Sequence, residues 1–260
     1  MNITSKPGTL PLLSQPQQSP ASPKPALGAA ASPPAPVAQN PARPQDSFEA
    51  APAQRRWNDF TPVIRQHQRD NCGAAVAAML ARSMGTAPRQ TNEQLMNRLE
   101  SRFTDGKGTT PAQMGTMLAD QGIEVLGSKA RFSRSSIEQA LSAGMKIVAM
   151  VDSNLISPKH PQKPGNPHWV VIDGFDGENS FRIKDPGRGT GYWIQTRRLT
   201  EAMNSGRKTF DGGGMMMIRT ASTQADPATL AERNATYATK LGTKPGIGSN
   251  TSALGRESSS

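Results

Sequence analysis

Proline is spread very unevenly along this chain, and that limits which parts of it can fold. Of its 22 prolines, 12 fall within residues 1–52, among Ala, Ser and Gln. A segment of that make-up buries too little apolar surface to offset the entropy of ordering it, so residues 1–55 are expected to be disordered. Residues 57–220, by contrast, hold all three Trp, all three His, the only Cys and all but one of the Phe. They are long enough for one independent core. Residues 222–260, ending TKPGIGSNTSALGRESSS, are read as a flexible C-terminal tail. A short helix within it runs from Asp226, the N-cap before Pro227, to Lys240. The folded domain is therefore assigned to residues 56–221, with no internal repeats.

Charge excludes more than it suggests. The net charge is +10, but no run of Lys and Arg exceeds two residues, and no basic patch is interleaved with aromatics. Specific nucleic-acid binding is set aside on that ground. The longest apolar run, Ala74–Ala81, is far short of a membrane span of about 20 residues. One cysteine can neither close an internal disulfide nor build a Cys-rich zinc site, and no metal or cofactor is expected.

The first half of the core reads as helices. Ala74, Ala75, Ala77, Ala78, Met79 and Leu80 form a strong helix former that is apolar nearly all round, which predicts a buried helix. Asp70 or Asn71 caps its start and Gly85 marks its end. Further helices are expected at 92–103, from Thr110-Pro111 to Gly122, and at 136–143. The second half reads as strands, at 147–151, 169–175, 180–185, 191–196 and 215–220. Helices followed by an antiparallel sheet make an α+β domain. The 12 methionines are read as core.

Cys72 opens the buried helix, where the positive end of the helix dipole favours a thiolate. Gly73, Ala74 and Ala75 leave room beside the sulfur for a substrate backbone. A thiolate catalyst needs a base. His67 lies in a polar stretch, and His160 lies in the Pro-rich loop 159–167, a segment read as either bordering a cleft or merely solvated. His168 opens the apolar strand WVVIDGF and is held by a rigid element, so it is preferred. Pairing Phe175 with Ser180 across the turn 176–179 sets Val170 opposite Asp185. That puts Asp185 diagonal to His168 on the same face, able to orient the imidazole, unless a bulge flips the parity. Asp173 falls on the other face, and Trp169, beside the base, is read as core packing. An oxyanion donor is needed as well; Gln66 and Gln68 both offer an amide, and local spacing does not separate them.

The strings QHQRDNCGAAVAAML, HWVVIDGFD and FRIKDPGRG together resemble the papain-like cysteine peptidases. Within that superfamily they are most similar to the peptidases that cleave double-glycine bacteriocin leaders and their stand-alone relatives. The resemblance spans residues 57–220. It implies a papain-like fold, with a helical half carrying Cys72 and a sheet half carrying His168 and Asp185. It also implies Cys72 as nucleophile, His168 as base, Asp185 as its orienter and Gln66, rather than Gln68, for the oxyanion hole. Two departures stand out: Asn71 precedes the Cys where the family commonly has Asp, and no ATP-binding or transporter segment follows.

The expected activity is hydrolysis of a peptide bond in a protein substrate by a monomeric enzyme. A glutamine deamidase on the same residues is the alternative, and a non-catalytic binding module with the same fold is the second. Residues 1–20 lack a secretory apolar stretch, and no acidic residue precedes Asp46. In this they resemble type III secretion export signals. The resemblance implies a secreted bacterial effector, translocated into a host cell and acting on a host protein, with a secretion chaperone as partner. The bacterial cytoplasm is the alternative location.

Overall fold

A computed structural model describes residues 56–57, 61–156, 165–222 and 225–247. In chain order the elements are β1 (Arg56–Trp57), α1 (Cys72–Ser83), α2 (Asn92–Phe103), α3 (Pro111–Asp120) and β2 (Ile123–Lys129). Next come α4 (Arg134–Ser142), β3 (Lys146–Asp152), the single turn α5 (Ser153–Ile156), β4 (Pro167–Phe175) and β5 (Ser180–Asp185). The remainder are β6 (Thr190–Gln195), α6 (Thr196–Phe210), β7 (Gly214–Thr220) and α7 (Pro227–Ala238), followed by a 3₁₀ turn at Thr239–Leu241.

The strands form one antiparallel sheet in the order β2-β7-β3-β4-β5-β6, with β1 paired to β4. Alternation along β3 and β4 divides the core in two. Val148, Met150, Trp169 and Val171 pack toward α1, α2 and α3. Ile147, Ala149, Val151, Val170 and Ile172 pack on the opposite face with α4 and α6. The expected α+β class is therefore observed, with helices on both faces of the sheet.

Local chemistry explains the helix starts. Thr91 with Gln94, and Thr110 with Gln113, form capping boxes, and Pro111 takes the first position of α3. The first ten residues of α1, Cys72–Ala81, are all buried, as an all-round apolar helix requires. Asn71 holds the N-cap position of α1 but makes no capping bond, a correction to the expected cap. Its Oδ1 instead accepts from the Gln68 backbone N–H at 3.2 Å, tying the entry loop together. The opening N–H groups of α1 are thus left without a side-chain cap.

Residues 123–129, where no element is expected, form the edge strand β2, and residues 196–210, between two expected strands, form the long helix α6. The helix expected from Asp226 to Lys240 is present as α7, with Asp226 as its N-cap and the 3₁₀ turn after it. Residues 225–247 pack into the core where a flexible tail is expected. Asn234 of α7 is fully buried, accepts from Val125 N at 2.9 Å and donates to Gly115 O at 3.2 Å and Ile123 O at 2.8 Å. Gly115 permits this approach, because a Cβ there would lie 2.7 Å from the Asn234 backbone. The rest of the tail, residues 1–55 and His160 lie outside the described residues. Among the described residues no helix is long and apolar enough to cross a membrane.

Candidate active site

The site is built where α1 meets the sheet. Cys72 is the first residue of α1 and is fully buried. Gly73 beside it is a packing necessity: a Cβ there would overlap Oγ1 of Thr109. His168 is the second residue of β4, paired with Val151 of β3, so two strands hold its backbone.

The turn before β5 differs from the expected register by one residue, because Phe175 pairs with Phe181 rather than Ser180. A bulge at Asp173 then restores the parity, since Ile172 faces Ile183 and Val171 faces Lys184. The two departures cancel at the far end of the ladder. Nε2 of His168 lies 2.8 Å from Oδ1 of Asp185.

Asp185 is held from several directions. Its Oδ1 also accepts from the backbone N–H groups of Gly187 at 2.8 Å and Arg188 at 3.3 Å. Its Oδ2 accepts from the Tyr192 hydroxyl at 3.0 Å, and the Arg188 guanidinium lies 3.7 Å away. Tyr192 was invisible to motif reading. The signal available was its place on β6, where it pairs with Ile183, two residues before Asp185.

Electrostatics couple the three groups. Burial alone would favour a neutral imidazole, but the Asp185 carboxylate and the Cys72 thiol outweigh it and push the His168 pKa up to about 10. Burial alone would raise Asp185, but the facing His168 and the Tyr192 hydroxyl hold its carboxyl below the ordinary range. With Nε2 committed to Asp185, Nδ1 is the ring nitrogen that remains; it is buried and makes no hydrogen bond.

Gln66 is buried on the loop that enters α1, whereas Gln68 is exposed. The Gln66 backbone N–H donates to Pro186 O at 3.0 Å, stapling this loop to the residue after Asp185. Its Nε2 donates to the carbonyls of Gln68 at 2.9 Å and Arg69 at 3.2 Å. Those two acceptors fix the amide orientation and engage its donors locally. His67 is exposed, and its ring faces Nδ2 of Asn71 at 3.2 Å rather than the sulfur. Asp173 lies in a separate buried cluster, 3.8 Å from Lys184 and 3.9 Å from Arg182. Trp169 is wholly buried and does more than pack, since its Nε1 donates to Thr109 O at 2.8 Å, joining sheet to helical side. Among the described residues no group of three or more His, Cys, Asp or Glu side chains could hold a metal ion.

An α+β fold that buries a cysteine at a helix start near a His–Asp pair on a sheet falls within the class of cysteine-peptidase-like hydrolases. Residues 59–207 match the model of the Peptidase_C39 like family, more than half of the chain, and the chain belongs to that family. Among solved structures, one described as a C39-like peptidase from Bacillus anthracis is 13% identical with a TM-score of 0.47; the match covers 65% of this chain and 100% of that one. No curated sequence matches the chain.

Proposed function

We propose that this protein hydrolyses a peptide bond in a protein substrate, with Cys72 as nucleophile, His168 as acid and base, and Asp185 holding the imidazole. The observation that supports it most is the coupling of Cys72, at the uncapped start of α1, to a buried imidazole bonded to Asp185 at 2.8 Å. The positive end of α1 and the imidazolium both stabilise negative charge on sulfur as it reacts.

The thiolate adds to the carbonyl carbon, and the oxyanion meets the free N–H groups at the α1 start. Gln66 contributes by turning one Nε2 hydrogen from the Gln68 or Arg69 carbonyl toward that oxygen. As the tetrahedral adduct collapses, Nδ1 of His168 protonates the departing amine and the acyl group remains as a thioester. His168, now neutral, takes a proton from water as it attacks the thioester. The adduct collapses to release the acid and the thiolate, beside a His168 that keeps the proton it took from water. Asp185 stays ionised throughout and stabilises each imidazolium stage.

Incubation with protein and peptide substrates, followed by intact mass, tests this directly. Fragments are expected with the native protein and none with Cys72→Ala or His168→Ala of native far-UV circular dichroism. A mass change without fragments would point to deamidation instead. Residues 1–55 serve export in this account, supported by their Pro/Ala/Ser/Gln composition and the absence of acid before Asp46. Retention of a reporter fused to residues 1–55 inside a secretion-competent donor would remove that part.

A further inference from the structure

Both reacting groups are closed off from solvent: Cys72 and His168 are each 0% exposed. A protein substrate cannot reach them in this state, so the segment that lies beside them matters. Thr109 precedes the capping residue of α3 and presses its side chain onto Gly73, next to Cys72. Pro167 precedes His168 on β4. Residues 244–247, Lys-Pro-Gly-Ile, run between these two.

The pairing is that of an added strand. Thr109 N donates to Gly246 O at 3.1 Å, and Gly246 N donates back to Thr109 O at 2.8 Å, an antiparallel bridge. On the other side Ile247 N donates to Pro167 O at 2.8 Å. One short segment thus bonds to the backbone of Thr109, whose side chain abuts Gly73 next to Cys72, and to the backbone of Pro167, the residue before His168. Gly246 is buried against the Trp169 ring, where a Cβ would overlap Cδ1. Upstream it is moored by Gly213 N to Leu241 O at 2.8 Å and by a bridge between Gly212 and Gly242. Main-chain pairing of this kind is how extended peptides add to exposed backbone, largely without regard to side chain.

We propose that residues 244–247 occupy the cleft in cis as a strand between Thr109 and Pro167, and must leave before a substrate strand can take the same bonds. This rests on the peptidase reading above. The segment carries out no chemistry; it competes for the main-chain partners that an incoming chain would use. Apparent activity is then reduced by the fraction of molecules in which the segment is seated.

Two variants test it. A chain ending at Gly242 keeps α7 and Leu241 but lacks the segment. Gly246→Val keeps the full chain and unseats the segment, because its backbone lies outside the left-handed region and the Trp169 ring is the obstacle to a side chain. The readout is the second-order rate of Cys72 alkylation by iodoacetamide at neutral pH, with circular dichroism to confirm folding. Both variants should label about tenfold faster or more, and the synthetic hexapeptide GTKPGI should slow labelling of the truncated chain again. Unchanged labelling in folded Gly246→Val overturns the proposal, even where the truncated chain is too unstable to measure. Faster labelling with no hydrolysis of any peptide keeps the cis occupant and removes the hydrolase reading. Hydrolysis by wild type with labelling unchanged in the variants does the reverse.

Discussion

Replacing Asp185 with Asn removes a charge while leaving the geometry almost intact. The amide oxygen can still accept from His168 Nε2 at 2.8 Å, Gly187 N at 2.8 Å and Arg188 N at 3.3 Å. The amide nitrogen takes the place of Oδ2, and the Tyr192 hydroxyl, 3.0 Å away, can turn to accept from it. What disappears is the negative charge that opposes the burial of an imidazolium. The His168 pKa is raised from 6.5 to about 10. That rise corresponds to about 5 kcal/mol of preference for the charged ring. Asp185 and Cys72 share it, and Asp185 is the larger contributor. In Asp185→Asn the burial penalty is opposed by Cys72 alone, so the His168 pKa should fall from its raised value. Cys72 then loses its imidazolium partner. Alkylation by iodoacetamide between pH 5 and 9 reads this out. Asp185→Asn should be at least about tenfold slower than the native protein near pH 6, with the gap narrowing as pH rises. Opening of the site is common to both proteins and cancels in the ratio. Superimposable pH–rate curves would refute the role given to the Asp185 charge.

Stability should follow the same pair. His168 has a raised folded pKa, so its contribution is complete below about 6.5 and is lost as pH rises toward about 10. Asp185 has a depressed one, so its contribution is lost as pH falls through the acid range. The difference in melting temperature between native protein and Asp185→Asn should therefore peak near pH 5–6 and shrink toward both extremes; an invariant difference would count against the coupling. Asn234→Leu should cost about 3 kcal/mol or more, because it strands Val125 N, Gly115 O and Ile123 O in the core. A change in denaturation midpoint within error would restore the tail to a dispensable appendage. Gly73→Ala should lower the melting temperature, since its methyl would collide with Thr109 Oγ1. Gln66→Ala should lower kcat about 10²–10³-fold with little change in KM. If Gln66 only ties its loop, the variant should instead lower melting temperature and Cys72 alkylation together.

Periodicity and capping chemistry carried much of the fold. The all-round apolar stretch after Cys72, the Thr-Pro start of α3 and the apolar strand after His168 are local signals that tertiary packing did not override. α6 was obscured because its helical face, with Leu199, Ala202 and Met203 buried, is short and set among Thr, Arg and Lys. β2 was hidden by a bulge between Val125 and Gly127 that breaks the alternation. At the site, the placement of Asp185 near His168 was legible, but the route to it was not. The turn was misjudged by one residue, and the bulge at Asp173 compensated. Non-local partners left no trace in spacing: Tyr192 on Asp185, and Thr109 under both Trp169 and Gly246, depend on how the chain returns. The C-terminal segment misled for a further reason. Its Gly and Pro look like linker composition, yet Gly246 is what allows the backbone to lie against Trp169.

The most direct test of the central claim is covalent trapping. Native protein and Cys72→Ala are incubated with a peptide substrate, and the acyl-enzyme is sought by intact mass after acid quench, with peptide mapping of the adduct. A transient adduct on Cys72 that yields cleaved peptide, absent in Cys72→Ala, is the predicted result. Peptide cleavage that persists at the native rate in Cys72→Ala would contradict it.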